Sequence, residues 1–106
     1  MIRHLGGFKF KDDTTKQQID HCFSELRAMV GQLPGLLKIE HGPHKSDEGL
    51  DEGLEHVFCM TFDSFESRDA YLPHPIHMER VELFGLCLER AVVLDFEPTP
   101  ECTAEL

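Results

Sequence analysis

Alternating apolar and polar positions predict four strands along this chain. Their predicted bounds are residues 2–11, 36–41, 55–62 and 91–97. Alternation with a period of two is typical of a strand that buries one face. It is most regular in the third strand, whereas the adjacent Gly6 and Gly7 weaken it in the first. We assign one set of alternating residues on the first and third strands to the side that faces the helices: His4, Phe8, His56, Phe58 and Met60.

Apolar positions at helical spacing predict helices between these strands. The first helix is predicted over residues 14–31, where the recurring apolar residues are Ile19, Cys22, Phe23, Leu26, Met29 and Val30. Ser64 is expected to cap a short helix that reaches Tyr71. Pro73 and Pro75 interrupt it, and another helix begins near Pro75 because proline suits a first helical turn. The apolar stripe of this last helix is expected to consist of Val81, Phe84 and Leu88.

The order of elements is therefore β-α-β-β-α(α)-β, which predicts a ferredoxin-like α+β fold. In this arrangement a four-stranded antiparallel sheet carries all its helices on one face. Residues 1–97 form the predicted domain, and residues 98–106 form a polar C-terminal tail. A length of 106 residues suits one domain of this kind.

The face of the sheet away from the helices is predicted to be mostly apolar. The residues assigned to it are Leu5, Val57, Cys59, Ala91 and Val93, with Thr61 and Asp95 among them. An apolar face of this extent is typical of an interface, so we expect a homodimer that packs sheet face against sheet face. Two such sheets form a dimeric α+β barrel of eight strands.

Composition narrows the classes of partner. The formal net charge of −10 argues against binding to nucleic acid or to anionic membrane surfaces, because both attract clustered lysine and arginine. No apolar run approaches the ~20 residues needed to span a bilayer, and the N-terminus shows no signal-peptide pattern. Four cysteines without a C-x-x-C pair are expected to be mainly buried hydrophobes in a reducing compartment. We therefore expect a cytoplasmic protein.

Several stretches resemble the stress-responsive dimeric α/β-barrel family, abbreviated Dabb. The matching residues lie at 2–5, 8–11, 33–35, 53–56, 61–64, 71–77 and 92–96, nearly the whole chain. The segment Tyr71-Leu72-Pro73-His74-Pro75-Ile76-His77 is the most specific of them. The resemblance implies the fold predicted above and a dimer. It also implies a similarity to the polyketide cyclases of the family at the site positions.

That resemblance implies roles for individual residues. Tyr71 and His77 fall on the catalytic pair of the cyclases, His56 on a supporting histidine, and His4 on a histidine of the pocket. With the strand faces assigned above, these groups are expected to converge on an apolar chamber between sheet and helices. Residues expected to contact the substrate are His4, Phe8, Phe58 and His74.

The chemistry implied is proton abstraction beside a carbonyl group, followed by aldol closure of a small molecule. His77 is the predicted general base, because imidazole titrates near working pH. Tyr71 is predicted to donate a hydrogen bond to the developing oxyanion. His56 would orient one of them or share its proton. No metal and no cofactor are expected.

Other interpretations of the same residues remain open. Each histidine taken singly also fits a structural role, His74 as a helix cap above all, and Tyr71 fits a core aromatic. His74 and His77, with His56 or Glu79, form an alternative zinc set, although neutral histidines are the simpler account. A non-catalytic stress-response or ligand-binding oligomer is the alternative function. A cofactor-free or haem-degrading monooxygenase is less favoured, because the chain has neither tryptophan nor asparagine. His21, His41 and His44 are expected to be solvated.

Overall fold

The computed structural model describes residues 1–106 and confirms the predicted ferredoxin-like order of elements. The strands are β1 (Ile2–Phe10), β2 (Leu36–Pro43), β3 (His56–Phe62) and β4 (Leu88–Phe96). The helices are α1 (Lys16–Arg27), α2 (Phe65–Tyr71) and α3 (Pro75–Gly85), followed by a 3-10 turn at Pro100–Cys102. The four strands form one antiparallel sheet in the order β2-β3-β1-β4.

Side-chain caps start the three helices where the sequence places them. Thr15 and Gln18 form a capping box at α1, in which each side chain bonds the main-chain N–H of the other residue. The Ser64 hydroxyl accepts from the Ser67 N–H at α2. The His74 Nδ1 atom accepts from the Ile76 N–H at α3, with Pro75 in the first turn. The break between α2 and α3 is therefore fixed by the Pro-His-Pro run.

Several predicted boundaries are wrong: β2 ends at Pro43 rather than at residue 41, and β4 begins at Leu88 rather than at residue 91. Helix α1 ends at Arg27 rather than near Gly31, because the next main-chain bonds run from Met29 to Leu26 and from Val30 to Arg27 and so tighten into turns. Leu88 does not belong to the apolar stripe of α3, since it begins β4 and pairs with Phe10 of β1.

The core lies between one face of the sheet and the three helices. Its most deeply buried side chains are Phe62, Ile2, Met29, Met60 and Cys22. Cys87 is also buried, Cys59 is partly buried and Cys102 is exposed. None of the helices has the length and apolar content required to cross a membrane.

The pairing register decides which face each residue of β4 occupies, and it corrects the sequence prediction. His4 pairs with Asp95, Gly6 with Val93, and Phe8 with Ala91. Directly paired residues project to the same face of a sheet. Ala91, Val93 and Asp95 therefore lie on the helix side, not on the outer face.

The outer face takes the alternate residues of β4. Its central row runs from Glu40 through Cys59 and Leu5 to Leu94. Phe96 and Val92 flank Leu94 on the same face, opposite Arg3 and Gly7. This face is apolar around Leu5, as predicted, but through a different set of β4 residues.

Candidate functional site

A cavity of about 290 Å³ lies between α3, β1 and β4 on the helix side of the sheet. Ten of its fourteen lining residues are hydrophobic, among them Phe8, Leu26, Phe58, Met60, Val81 and Phe84. The exposed lining residues lie on α3 and β4, so the cavity opens between these two elements. Three polar side chains that the sequence singled out, His4, Tyr71 and His77, share this cavity.

Tyr71 is the last residue of α2 and is 4% exposed. Its ring packs against Phe62 at 5.1 Å between centroids and edge-on against His4 at 5.6 Å. Burial raises the pKa of its hydroxyl, and no hydrogen bond within the chain opposes that shift. The hydroxyl therefore stays protonated and remains available as a hydrogen-bond donor in an apolar cavity.

His77 lies in the first turn of α3, and its ring centroid is 3.9 Å from that of Tyr71. Its Nδ1 atom donates to the Leu72 carbonyl over 2.9 Å, because a carbonyl oxygen only accepts. Burial lowers the pKa of His77, the Leu72 carbonyl opposes that shift, and the nearby His4 adds to it. The ring is therefore neutral near pH 7, with Nε2 as a free proton acceptor.

His4 is held by the carboxylate of Asp95, a residue that was predicted to lie on the other face of the sheet. The His4 Nδ1 atom lies 2.7 Å from Asp95 Oδ1, and His4 is 6% exposed. An ionised carboxylate only accepts, so Nδ1 carries a proton and donates it to Asp95, while Nε2 makes no hydrogen bond within the chain. The second oxygen of Asp95 lies 3.8 Å from Nη1 of Arg68. Asp95 thus fixes both the orientation and the tautomer of His4.

The structure does not bring His56 to this cavity. His56 pairs with Phe8, whereas His4 pairs with Met60, four residues further along β3. Four residues of strand span about 13 Å, and the stacked rings of Phe8 and Phe58 occupy the intervening space. The prediction that four titratable groups converge is therefore wrong for His56, although it does lie on the predicted face.

Three other histidines also differ from their predicted surroundings. His74 does not line the cavity, because its imidazole caps α3 and borders a polar groove outside α2. His41 is partly buried rather than fully solvated, because its ring stacks on Phe23 at 4.4 Å. His44 is also partly buried and its Nε2 atom lies 2.8 Å from Asp51.

Arg80 is a buried cation that was not predicted from the sequence to belong to the site. It lines the cavity with 7% exposure, and its Nη2 atom lies 3.2 Å from Oε2 of Glu25. Its Nε atom donates to the Glu25 carbonyl over 3.0 Å, so the paired charge ties α3 to α1. Arg80 follows His77 by three residues and precedes Phe84 by four, and that helical spacing was the available signal.

Taken together, the cavity holds the protonated hydroxyl of Tyr71 and two imidazoles, His4 and His77, whose Nε2 atoms make no hydrogen bond within the chain. This combination suits proton transfer next to a polarised carbonyl group. No group of three or more histidine, cysteine, aspartate or glutamate side chains is placed to hold a metal ion.

Comparisons with curated proteins find relatives of similar length. A stress-response A/B barrel domain-containing protein of Arabidopsis thaliana is 34% identical over 96 residues, which cover 90% of this chain and 84% of the relative. Olivetolic acid cyclase of Cannabis sativa is 27% identical over 97 residues, which cover 92% of this chain and 96% of the cyclase.

Comparisons with solved structures show the same fold. A crystal structure of an Arabidopsis thaliana protein superposes with a TM-score of 0.90 at 27% identity and covers 100% of both chains. A dimeric ferredoxin-like protein of unknown function from Jannaschia superposes with a TM-score of 0.80 at 25% identity, covering 91% of this chain and 97% of its own. The sequence model of the family described as the stress responsive A/B barrel domain matches residues 2–98. The resemblance inferred from the sequence is thereby confirmed, and this chain belongs to the stress-responsive A/B barrel domain family.

Proposed function

We propose that this chain binds a small carbonyl compound in the cavity and catalyses acid/base chemistry of the aldol type on it. The observation that carries the proposal is the pairing of Tyr71 with His77. Their rings lie 3.9 Å apart in one apolar cavity, and neither the tyrosine hydroxyl nor the histidine Nε2 is committed to another group of the chain. A hydrogen-bond donor and a base are thus available together to a ligand that enters the cavity.

The reaction begins with transfer of a proton from a carbon beside a carbonyl group to Nε2 of His77. The electron pair left on carbon delocalises onto the carbonyl oxygen, which Tyr71 stabilises with a hydrogen bond. The carbon then attacks a second carbonyl of the same molecule, which forms the new C–C bond. The resulting alkoxide takes the proton back from the His77 imidazolium, so that base and donor return to their starting states.

His4 is proposed to position the substrate rather than to take part in proton transfer. Asp95 holds its Nδ1–H, so Nε2 presents an acceptor at a fixed place in the cavity. Phe8 and Phe58, which stack at 4.9 Å, would contact the apolar part of the ligand. His56 and His74 do not line the cavity, so the proposed mechanism gives them no part.

The similarity to a plant cyclase supports this chemistry, because that relative matches nearly the whole chain. The product and the length of its precursor do not transfer at 27% identity. We therefore assign a reaction class, carbon–carbon bond formation through an enolate, and not a substrate.

Self-association belongs to the same proposal. The outer face of the sheet exposes Leu94 and Phe96 by 62% and 49% of their surface. Apolar surface of this kind is typical of an interface, and a structural neighbour is described as dimeric. We propose a homodimer that packs outer face against outer face.

The test of catalysis uses phenylacetone, a ketone whose CH₂ beside the carbonyl exchanges slowly in water. The rate of deuterium exchange at that carbon is followed by NMR for the parent protein and three variants: Tyr71→Phe, His77→Gln and His21→Gln. Loss of a general base should slow protein-dependent exchange about 100-fold in His77→Gln. Loss of the oxyanion donor should slow it at least about tenfold in Tyr71→Phe.

His21→Gln is the matched control, because His21 is exposed on α1 and should leave the rate unchanged. Exchange that is equally fast in parent and His77→Gln would contradict the proposed base. If phenylacetone raises the melting temperature but the parent does not accelerate exchange, the chain is a ligand-binding protein and not a catalyst.

A further inference from the structure

A second groove lies on the helix side of the sheet, at the edge formed by β2. It encloses about 300 Å³ between α1 and the strands β2 and β3. Its walls include Ile19 and Phe23 of α1 and Pro43 of β2. Phe23 also packs against Phe84 at 5.7 Å, a ring that lines the first cavity. The two sites therefore lie back to back across a cluster of aromatic rings.

Arg27 and His41 form one side of this groove. The Arg27 Nη1 atom lies 2.6 Å from His41 Nε2, and a guanidinium only donates, so His41 accepts at Nε2. Burial lowers the pKa of His41, and the charges of Arg27 and His56 lower it further. The neutral ring therefore carries its proton on Nδ1, where it makes no hydrogen bond within the chain. Arg27 keeps several of its five N–H donors free.

His56 forms the other side of the groove and has an unsatisfied polar atom. Its ring lies 5.3 Å from that of Phe23 and its Nδ1 atom is buried without any hydrogen-bond partner. Leaving a buried polar atom unpaired costs about 1–3 kcal/mol, and native proteins rarely keep such atoms without a partner. The chain itself provides no such partner, and a ligand in the groove can provide one once the ring turns its Nδ1 edge toward the groove.

The sheet register brings the two histidines together. Pro43 pairs with His56, and His41 pairs with Phe58 two residues along β3. His41 and His56 are thus diagonal neighbours on one face, within reach of a common small ligand. Both rings lie against the ring of Phe23.

The charges around the groove favour a monovalent anion. Arg27 is its permanent cation, and Asp20 is the only carboxylate in its lining. Asp20 lies 2.8 Å from Lys16 Nζ, which offsets its charge. The net charge of −10 on the whole chain opposes a highly charged ligand. A guanidinium fork matches the two oxygens of a carboxylate, and Ile19, Phe23 and Pro43 suit an apolar body.

We propose that this groove binds a small aromatic carboxylic acid, with Arg27 on the carboxylate, His41 and His56 as further hydrogen-bond donors, and the apolar wall against the ring. The site is independent of the proposed catalytic cavity. In this arrangement the ligand supplies the hydrogen-bond partner that His56 lacks.

The test is a titration with benzoate, followed through the NMR signals of the histidine rings and by calorimetry. Benzoate should shift the signals of His41 and His56 in a saturable way. Arg27→Gln should raise the dissociation constant for benzoate at least about tenfold, since it removes a hydrogen-bonded ion pair with the carboxylate. His56→Gln should weaken it as well, whereas the exposed His21→Gln on the same helix as Arg27 should leave it unchanged.

Tyr71→Phe changes only the first cavity, so it distinguishes binding at the two sites. It should not alter benzoate binding in the groove. The proposal is overturned if Tyr71→Phe weakens binding and Arg27→Gln does not, because benzoate would then occupy the first cavity. It is also overturned if neutral benzamide binds as tightly as benzoate, if inorganic phosphate binds more tightly, or if no saturable binding occurs. Melting temperatures verify that each variant is folded; Arg27 is solvent-exposed, so its replacement should leave the fold intact.

Discussion

The chemistry proposed for the first cavity depends on which nitrogen of His77 carries the proton, and a main-chain carbonyl decides it. The Leu72 oxygen accepts from Nδ1 at the break between α2 and α3. A main-chain partner cannot be lost by substitution of a side chain elsewhere in the cavity. The free Nε2 is therefore a property of the Pro-His-Pro break, the same local structure that brings the Tyr71 ring against the His77 ring.

The pKa of His77 gives the first residue-level prediction. Burial should hold it below the ordinary value of 6.5, and NMR titration of the ring, assigned with His77→Gln, measures it. Because the base must be neutral, phenylacetone exchange should be lost as pH falls through this pKa and constant above it. The folded chain takes up this proton less readily than the unfolded chain, so the His77 term in the unfolding free energy falls below pH 6.5. A pKa above 6.5 would contradict the argument.

The hydrogen bond between His4 and the Asp95 carboxylate gives the second residue-level prediction. Hydrogen bonds to charged groups contribute about 1.5–3 kcal/mol, so His4→Gln and Asp95→Asn should each lower the unfolding free energy by roughly that amount. The double variant should be little worse than either single one, since both break the same contact. Urea unfolding of all four proteins measures the coupling. Fully additive losses would show that the two side chains do not depend on each other.

The strand faces explain why some site residues were predictable and others were not. Alternation in β1, although weakened by Gly6 and Gly7, and the more regular alternation in β3 placed His4, Phe8 and Phe58 on the correct side. In β4, Ala91 to Leu94 are apolar at every position, so the period-two signal is missing and Asp95 was assigned to the wrong face. For His56 the face was correct but the distance was not, because alternation fixes the side of a sheet and not the register between strands.

At the level of elements, the turn before β2 shows how close packing is fixed by one residue. Gly35 has a φ of +82°, and a Cβ added there would lie 2.4 Å from the Cβ of Ser67 in α2. The N–H of Asp63 donates to the Gly35 carbonyl over 2.9 Å. Gly35 therefore lets the turn lie against α2, the helix that ends in Tyr71.

Gly35→Ala should destabilise the fold by more than conformational strain alone. Gly31 supplies the matched control, because its φ is +92° but an added Cβ would meet nothing within 4 Å. Gly31→Ala should lower the unfolding free energy by about 1–2 kcal/mol, and Gly35→Ala by about 1–3 kcal/mol more, from overpacking. Urea denaturation compares the two. Equal losses of unfolding free energy in the two variants would show that α2 moves to accommodate the added Cβ without measurable destabilisation.

Helix starts were easier to predict than helix ends. Thr15, Ser64 and Pro75 carry their start signals in their own side chains, and each helix begins next to them. The end of α1 depends on tightening of the main-chain bonds after Arg27, which leaves no distinct residue pattern before Gly31. The same holds between α3 and β4, where Leu88 fits either a helical stripe or a strand.

At the scale of the whole molecule, the apolar outer face and the large negative charge have opposite effects on dimerisation. Burial of Leu5, Leu94 and Phe96 favours a dimer through the hydrophobic effect. Each copy carries a formal charge of −10, so two copies repel each other, and salt screens this repulsion. The proposed dimer should therefore become tighter as salt rises, opposite to an interface made by ion pairs.

Leu94→Glu tests this balance on the outer face, where Leu94 lies on the edge strand β4 beside Leu5. Leu94 pairs with Leu5 and is 62% exposed in the single chain, so the substitution should leave the fold intact. In a two-fold interface it places two new carboxylates in apolar surroundings, which should weaken association at least about 100-fold.

Leu50→Glu is the control, because Leu50 lies in the loop between β2 and β3 and is 80% exposed. Light scattering during gel filtration should find Leu50→Glu dimeric and Leu94→Glu monomeric at the same concentration and salt. A Leu94→Glu dimer would place the interface elsewhere, and phenylacetone exchange in a monomeric Leu94→Glu would show whether the cavity works without a partner.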